Sequence, residues 1–374
     1  MSKRIAFVGD LHLGAPIKNP SDEINCLMDN LKEQKLDIVV LLGDIFHKKI
    51  SLDSIESKLA STLLSFLKYE LDATVIIVKG TITHDYDQLK NFYGLQDDKF
   101  FIVETYSHLS IGDLDFLVIP EEVIKEDSER YYRSLLINDD LEYLVYDFII
   151  GHGTFDCVPF VKATIADMDT SKYTLNSVLP SPILNSKLFK LHSNGPMMFG
   201  HIHSKINYKD SLYYPGSWSR WTHDTDNEIK SFIIVDYYEC GHELEEVVNT
   251  KASKFETVSI SETMLSADVN DLANNLISRY KDIDSLKVSI SKEVPLEFSE
   301  RIGQLKKLLM SYESITVEDT KRRTFIQQVI KDSANVLNEN VIADINLSPK
   351  ETLINAAKEH GIDEEFINFL FNQN

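Results

Sequence analysis

Five apolar runs in this chain each end in a glycine-flanked carboxylate or imidazole, and that repetition restricts the fold more than any other feature. Residues 5–8 lead into Gly9-Asp10-Leu11-His12-Leu13-Gly14, and residues 36–42 into Gly43-Asp44-Ile45-Phe46-His47. Residues 73–78 lead, through Lys79, into Gly80-Thr81-Ile82-Thr83-His84-Asp85. Residues 148–150 and 197–199 lead into Gly151-His152-Gly153 and Gly200-His201-Ile202-His203. Short, near-continuous apolar runs mark strands buried on both faces. Side chains two apart on an extended segment point the same way, so Asp10 and His12 face one ligand at a strand's carboxyl end, where open α/β sheets bind. A single Asp-x-His is ordinary turn chemistry; five such strand ends are hard to attribute to turns. Glycine belongs where backbone must approach a metal or phosphate closely.

Amphipathic stretches separate the early runs. From Ser21, the residues Ile24, Leu27, Met28 and Leu31 keep the i, i+3, i+4, i+7 spacing of a helix with one buried stripe. Residues 51–71 do the same with Ile55, Leu59, Leu63, Phe66 and Leu67. This strand-helix alternation predicts a βαβ-based sheet. Further strands are predicted at 100–103, 114–119, 148–150, 197–199, 212–214 and 231–237, more closely spaced, as in a two-sheet α/β sandwich whose second half is partly antiparallel. The charged stretch 121–129 reads as a solvated connection.

At 374 residues the chain exceeds what one core supports. Residues 1–254 form the first predicted domain. A small α+β unit over 255–320 follows, with helices at 267–280 and 298–312 and strands at 286–291 and 315–317. Residues 321–347 are polar and read as a linker. In 348–374, Ser348-Pro349-Lys350-Glu351 opens a helix by N-cap, proline at N1 and glutamate at N3. Asp363 caps another, bearing Phe366, Ile367, Phe369, Leu370 and Phe371, which either folds back on its own domain or docks in a partner's groove.

The 38 Lys and Arg against 59 Asp and Glu give a formal charge of −21, which repels nucleic acid unless metals, basic patches or a partner offset it. Cys26, Cys157 and Cys240 are scattered and odd in number, suggesting reduced thiols. No run approaches the ~20 apolar residues of a membrane span, and Met1-Ser2-Lys3-Arg4 enters a strand without an apolar signal region. A cytoplasmic protein is expected.

Histidine mixed with aspartate points to a transition metal such as manganese, iron or zinc, away from an all-oxygen cage. So many donors oversupply one ion. Two ions ~3.5–4 Å apart, bridged by an aspartate, would use them and suit in-line attack of an activated water on phosphorus. The expected reaction is phosphoester hydrolysis.

In this order, the motifs resemble the calcineurin-like metallophosphoesterase superfamily over roughly residues 3–240. The motifs at Gly9 to Gly14 and Gly43 to His47, with Tyr214-Pro215-Gly216-Ser217 and Arg220, are similar to the SbcD-type DNA-repair nucleases. The resemblance implies an αββα sandwich carrying a small α+β cap domain and a C-terminal helical element. It implies that Asp10, His12 and His203 hold one metal, His152 and His201 the other, and Asp44 bridges. His84, oriented by Asp85, would protonate the leaving-group oxygen or stabilise the pentavalent phosphorus. His47 matches a histidine that positions DNA, or is only a histidine in the first turn after the strand.

One position departs from the pattern. The superfamily has asparagine immediately before the catalytic histidine, donating an amide oxygen to the second metal; here that residue is Thr83. A weaker second site completed by water or substrate phosphate is expected, with greater dependence on manganese; alternatively Thr83 only caps the turn. Trp218 and Trp221 either stack on bases or pack their loop. His108, His192, His223, His242 and His360 belong to no motif and read as surface or structural.

The function implied is a manganese-dependent DNA exonuclease and endonuclease subunit acting in repair or recombination. It would work with an SbcC-like coiled-coil ATPase as a homodimer within a heterotetramer. A freestanding phosphodiesterase or phosphatase on a small substrate and a catalytically weakened scaffold are the alternatives.

Overall fold

Because side chains alternate across a strand, the continuous apolar runs feed two cores at once. A computed structural model describes residues 2–121, 136, 144–159, 161, 183–223, 228–291 and 294–319. They divide between Glu256 and Thr257 into two units. The first begins with β1 (Lys3–Val8), α1 (Pro20–Glu33), β2 (Ile38–Leu41), α2 (Ile55–Tyr69), β3 (Thr74–Val78), α3 (Ile82–Asp85) and, after a 3-10 helix over Gln88–Leu95, β4 (Phe100–Val103). It continues with β5 (Ser107–Ile111), β6 (Leu114–Ile119), β7 (Phe148–His152), β8 (Thr154–Phe155), β9 (Ile183–Leu184) and α4 (Ser186–Lys190). It closes with β10 (Met197–Gly200), β11 (Ile206–Tyr208), β12 (Leu212–Tyr214), β13 (Ser231–Tyr238) and β14 (Gly241–Val248).

Two six-stranded sheets result, ordered β14-β13-β1-β2-β3-β4 and β11-β12-β10-β7-β6-β5. In the first, β1 to β4 run parallel, with Ile5 opposite Ile38, Ile38 opposite Thr74, and Val75 opposite Phe100. In the second, β6, β7, β10 and β12 run parallel, with Leu117 opposite Ile149, Met198 opposite Ile150, and Met197 opposite Leu212. Alternation then sorts the cores. Ala6, Val8, Val39 and Leu41 pack with Leu27 and Leu31 of α1 and Leu63 and Leu67 of α2. Ile5, Phe7, Ile38 and Val40 face Phe116, Phe148, Ile150 and Met198 across the sandwich. The outer face of the second sheet packs Leu117, Ile149 and Phe199 on Phe155, Leu184 and Phe189. This is the αββα sandwich expected.

Phe148 lies at the centre of the layer between the sheets, its ring 5.8 Å from Phe7 and 5.3 Å from Phe116. Truncating it to alanine would cost about 3–5 kcal/mol. Helix starts follow local chemistry. Pro20 opens α1, followed by Asp22 and Glu23 at the positive end of the helix dipole. Ser54, whose side chain accepts from Ser57 N at 3.1 Å, caps α2 and starts it later than the apolar pattern suggests.

The strands absent from the sequence reading are edges. β14, Gly-His-Glu-Leu-Glu-Glu-Val-Val, pairs antiparallel with β13 from Ser231 opposite Val248 to Tyr238 opposite Gly241. Charge on an edge strand discourages pairing with other chains, and it also erases the apolar signal.

A three-stranded sheet of β15 (Phe255–Ile260, its first two residues before the division), β16 (Ser285–Ile290) and β17 (Ile315–Asp319) forms the second unit with α5 (Glu262–Ser266), α6 (Val269–Arg279) and α7 (Ser299–Leu309). Asp268 caps α6 by accepting from Asn270 N at 2.8 Å and Asp271 N at 3.1 Å. Leu272, Leu276, Val288, Leu305 and Leu309 fill the core. The linker over 321–347 and the helical element over 348–374 lie outside the described residues.

Candidate metal centre

The strand ends of both sheets meet at one place, and the backbone there is tight. A Cβ on Gly80 would stand 2.1 Å from the Asp44 nitrogen, so only glycine lets the loop after β3 lie against the loop after β2. Asp10, His12, Asp44 and His201 adopt left-handed backbone, with φ of 37°, 48°, 49° and 93°. Such conformations in residues with a Cβ cost on the order of 1–3 kcal/mol each and persist only where surrounding contacts enforce them. Here those contacts are His12 N donating to Asp44 O at 2.9 Å and His201 N donating to Asp10 Oδ1 at 2.9 Å.

Three donor groups converge among the described residues, one of imidazoles alone (His12, His47 and His84) and two that include a carboxylate. Asp10, His12 and His203 present ligand atoms within 4.8 Å of one another, and Asp44, His152 and His201 do likewise. His12 Nε2 lies 2.9 Å from His203 Nε2. Asp44 Oδ2 lies 3.6 Å from His12 Nε2 and 3.3 Å from His152 Nε2, so a single oxygen reaches both groups. Asp10 is 1% exposed and its Oδ2 has no hydrogen-bond partner. A buried carboxylate oxygen left so is costly unless a cation takes the place of water. His152 Nδ1 donates to the Leu42 carbonyl at 2.7 Å, which fixes the ring and aims Nε2 at the site. These donors fit divalent metal ions.

Charge differs between the groups. Burial lowers His203 to about 4 and His12 well below the usual imidazole range; for His12, the histidines beside it reinforce this against the pull of Asp44. Burial acts the same way on His152, but Asp44, Asp10 and Glu121 outweigh it and lift it to about 10. Asp44 is driven below the usual carboxylate range, the imidazoles around it outweighing its burial. Asp10 is pushed up to about 6, chiefly by burial.

Thr83 corrects the expectation. It is exposed on α3, and Thr81 stands among the donors instead: its Oγ1 is 3.3 Å from His152 Nε2, 3.4 Å from His201 Nδ1 and 3.4 Å from Asp44 Oδ2. The two residues between Thr81 and His84 form the first turn of α3, so adjacency to the histidine misleads.

Glu121 is a second correction. The sequence reading gave it to solvent, yet its Oε2 lies 3.2 Å from His201 Nδ1, 3.6 Å from His152 Nε2 and 2.9 Å from Thr81 Oγ1. The signal was available: Glu121 follows the apolar run of β6, as the other donors follow theirs.

His84 and His47 lie beside the first group. The His84 ring is 4.9 Å from that of His12 and stacks on His47 at 5.3 Å. His84 Nδ1 donates to the His47 carbonyl, so that carbonyl, rather than Asp85, orients it. Asp85 instead clamps the loops, accepting from Gly80 N at 2.7 Å, Asp44 N at 3.1 Å and Phe46 N at 3.1 Å. Burial, then the charge of Asp44, pushes Asp85 up to about 7.

Trp218 is fully buried, its indole donating to the Glu23 carbonyl at 3.0 Å, and so packs its loop. Arg220 is buried too, and its guanidinium donates to the carbonyls of Ser253 and Glu228. Trp221 is half-buried against His12, His47 and His203. Lys230, missed in the sequence, donates to the His203 carbonyl at 3.0 Å from a buried position that lowers it to about 8. His192 and His108 are structural, bonded to Leu144 O and to the Tyr106 and Tyr146 hydroxyls.

The family model for calcineurin-like phosphoesterases matches residues 3–245. The chain belongs to this family and is a metal-dependent phosphoesterase. No match is found among curated proteins. Among solved structures, it is similar to GAP50, the anchor in the inner membrane complex of Plasmodium, at 15% identity over 67% of this chain and 86% of that one, with a TM-score of 0.40. A protein of unknown function from Aquifex aeolicus matches at 17% identity over 40% of this chain and 77% of that one, with a TM-score of 0.23. A glutamine-dependent NAD+ synthetase from Acinetobacter baumannii matches at 10% identity over 100% and 73%, with a TM-score of 0.34. Among the described residues no helix is long and apolar enough to cross a membrane.

Proposed function

We propose that the chain is a two-metal phosphodiesterase that cleaves DNA, working in the cytoplasm beside a coiled-coil ATPase of the SbcC type. The observation that carries the reading is Asp44 Oδ2, within 3.6 Å of an imidazole in each donor group, the disposition a bridging carboxylate needs. Asp10, His12 and His203 would hold one ion and His152 and His201 the other. When bound, a divalent pair, manganese by preference, lowers the pKa of water and polarises the phosphoryl oxygens.

The chain's own part is orientation and proton transfer. His84, its Nδ1 spent on the His47 carbonyl, keeps Nε2 to give a proton to the leaving oxygen. His47, stacked on His84, would guide the nucleic-acid strand, as the motif resemblance implies. The motif resemblance to SbcD-type nucleases supports DNA as substrate. A charge of −21 is consistent with a partner that supplies much of the DNA affinity; the resemblance to SbcD-type nucleases would join two copies of this chain to two of the ATPase.

The test is cleavage of linear double-stranded DNA with manganese against magnesium, comparing wild type and His84→Ala. The expected result is manganese-dependent cleavage that His84→Ala slows by about 10²–10⁴-fold. Hydrolysis of a chromogenic phosphodiester with no cleavage of DNA would instead establish a small-substrate phosphodiesterase. Uptake of less than one manganese per chain would establish a scaffold.

A further inference from the structure

The donor groups are unequal if only aspartate and histidine are counted. The first has two imidazoles, His12 and His203, a carboxylate of its own in Asp10, and a share of Asp44. The second has His152, His201 and a share of Asp44, with no carboxylate of its own. Glu121 fills that vacancy. Its Oε2 is as near to His201 Nδ1, at 3.2 Å, as Asp44 Oδ2 is to His152 Nε2, at 3.3 Å.

Resting on the two-metal reading, we propose that the Glu121 carboxylate is a direct ligand of the second metal, making each half two imidazoles, one private carboxylate and the shared Asp44. Three observations support a ligand over a solvated acid. Its side chain is only 10% exposed, although it begins a strongly charged stretch. The Thr81 hydroxyl donates to Oε2 at 2.9 Å, which orients it. The oxygen also faces two imidazole nitrogens, 3.2 and 3.6 Å away. Nitrogen donors and carboxylate oxygens converging on one point describe a cation's coordination shell.

The consequence reverses the expectation of a weak second half. A neutral donor there leaves the ion short of negative charge; a carboxylate supplies it and favours a hard, oxygen-preferring ion. Thr81 then serves to hold Glu121, and its hydroxyl need not replace an amide oxygen.

The experiment is manganese titration of the full chain by calorimetry and by paramagnetic resonance, for wild type, Glu121→Gln and Thr81→Val. Wild type should bind two ions and give the spectrum of a coupled pair. Glu121→Gln should bind the second ion at least about 100-fold more weakly, beyond the about 10–100-fold expected of a group that acts only through a ligand, and show an uncoupled ion. Thr81→Val should lose less. Thermal unfolding without metal checks that each variant folds. Crystals of wild-type protein soaked in manganese give a readout that needs no variant, a Glu121 oxygen within coordination distance of the ion nearest His201.

Two ions bound by Glu121→Gln with wild-type affinity, or a Glu121 carboxylate outside the coordination shell, would overturn the proposal and leave the two-metal reading standing. Fewer than two ions in wild type would overturn both.

Discussion

The two donor groups share Asp44, yet His12 and His203 in the first are shifted one way and His152 in the second the other. In the first, His12 and His203 are pushed toward the neutral form, by burial and, around His12, by neighbouring imidazoles, His84 and His47 among them. In the second, His152 is lifted to about 10 because Asp44, Asp10 and Glu121 surround it. The difference shows what each half prepares. Neutral imidazoles are ligands already, so the first half accepts a metal without giving up a proton from a histidine. Around His152 the carboxylates of the second half set a field that favours a positive charge, whether a proton or a metal ion.

Removing what the halves share should have the largest effect. Asp44→Asn keeps the shape but takes away the charge that both histidines face. Phosphodiester hydrolysis should fall by at least about 10⁴-fold, several kcal/mol of lost transition-state stabilisation, with weaker uptake of both ions. Calorimetric titration beside the rate measurement checks this; loss of a single ion would mean that Asp44 belongs to one half.

His84→Ala should come next and should separate chemistry from binding. General acids contribute about 10²–10⁴-fold, so the rate should fall within that range while two ions still bind. Loss of an ion in this variant would make His84 a ligand, as its grouping with His12 and His47 allows.

The pH dependence sharpens the contrast further. A ligand that must lose a proton binds metal more tightly as pH rises toward its pKa. With His152 near 10, affinity at the second half should rise about tenfold per pH unit from 7 to 9, releasing one proton per ion. At the first half, Asp10 titrates at about 6 and His203 at about 4, so affinity should be flat above pH 7. Titrations in buffers of different ionisation enthalpy count the protons; equal release at both halves would erase the difference.

The contrast between the halves also explains what the sequence could disclose. Asp10, His12, Asp44, His152, His201 and His203 are legible because each follows an apolar strand within a few residues, and strand ends converge in an open sheet. Thr81 follows β3 and Glu121 follows β6, strand ends of the same kind, and they were passed over for different reasons. Thr83 took the place of Thr81 because adjacency to His84 was read along the chain, whereas α3 turns it to solvent. Glu121 was hidden by the charge of the residues after it, which describes composition and says nothing of where one carboxylate points. The helices and central strands followed from periodicity. The edges β5 and β14 did not, since a half-exposed strand carries no continuous apolar run.

The smallest effect should come from Trp221, which separates the halves by touching one. Its ring lies 4.9 Å from His12, 4.7 Å from His47 and 5.0 Å from His203, all three beside the first half. Edge-on aromatic contacts contribute about 0.5–1.5 kcal/mol each, and here they pack against two ligand rings, His12 and His203. Trp221→Ala should therefore weaken the first ion about tenfold and leave the second unchanged, while Trp221→Phe, which keeps an aromatic edge, should recover most of the loss. An equal loss at both halves would mean that Trp221 supports the loop as a whole. No loss at either would mean that the histidines are fixed by backbone strain and Lys230 alone.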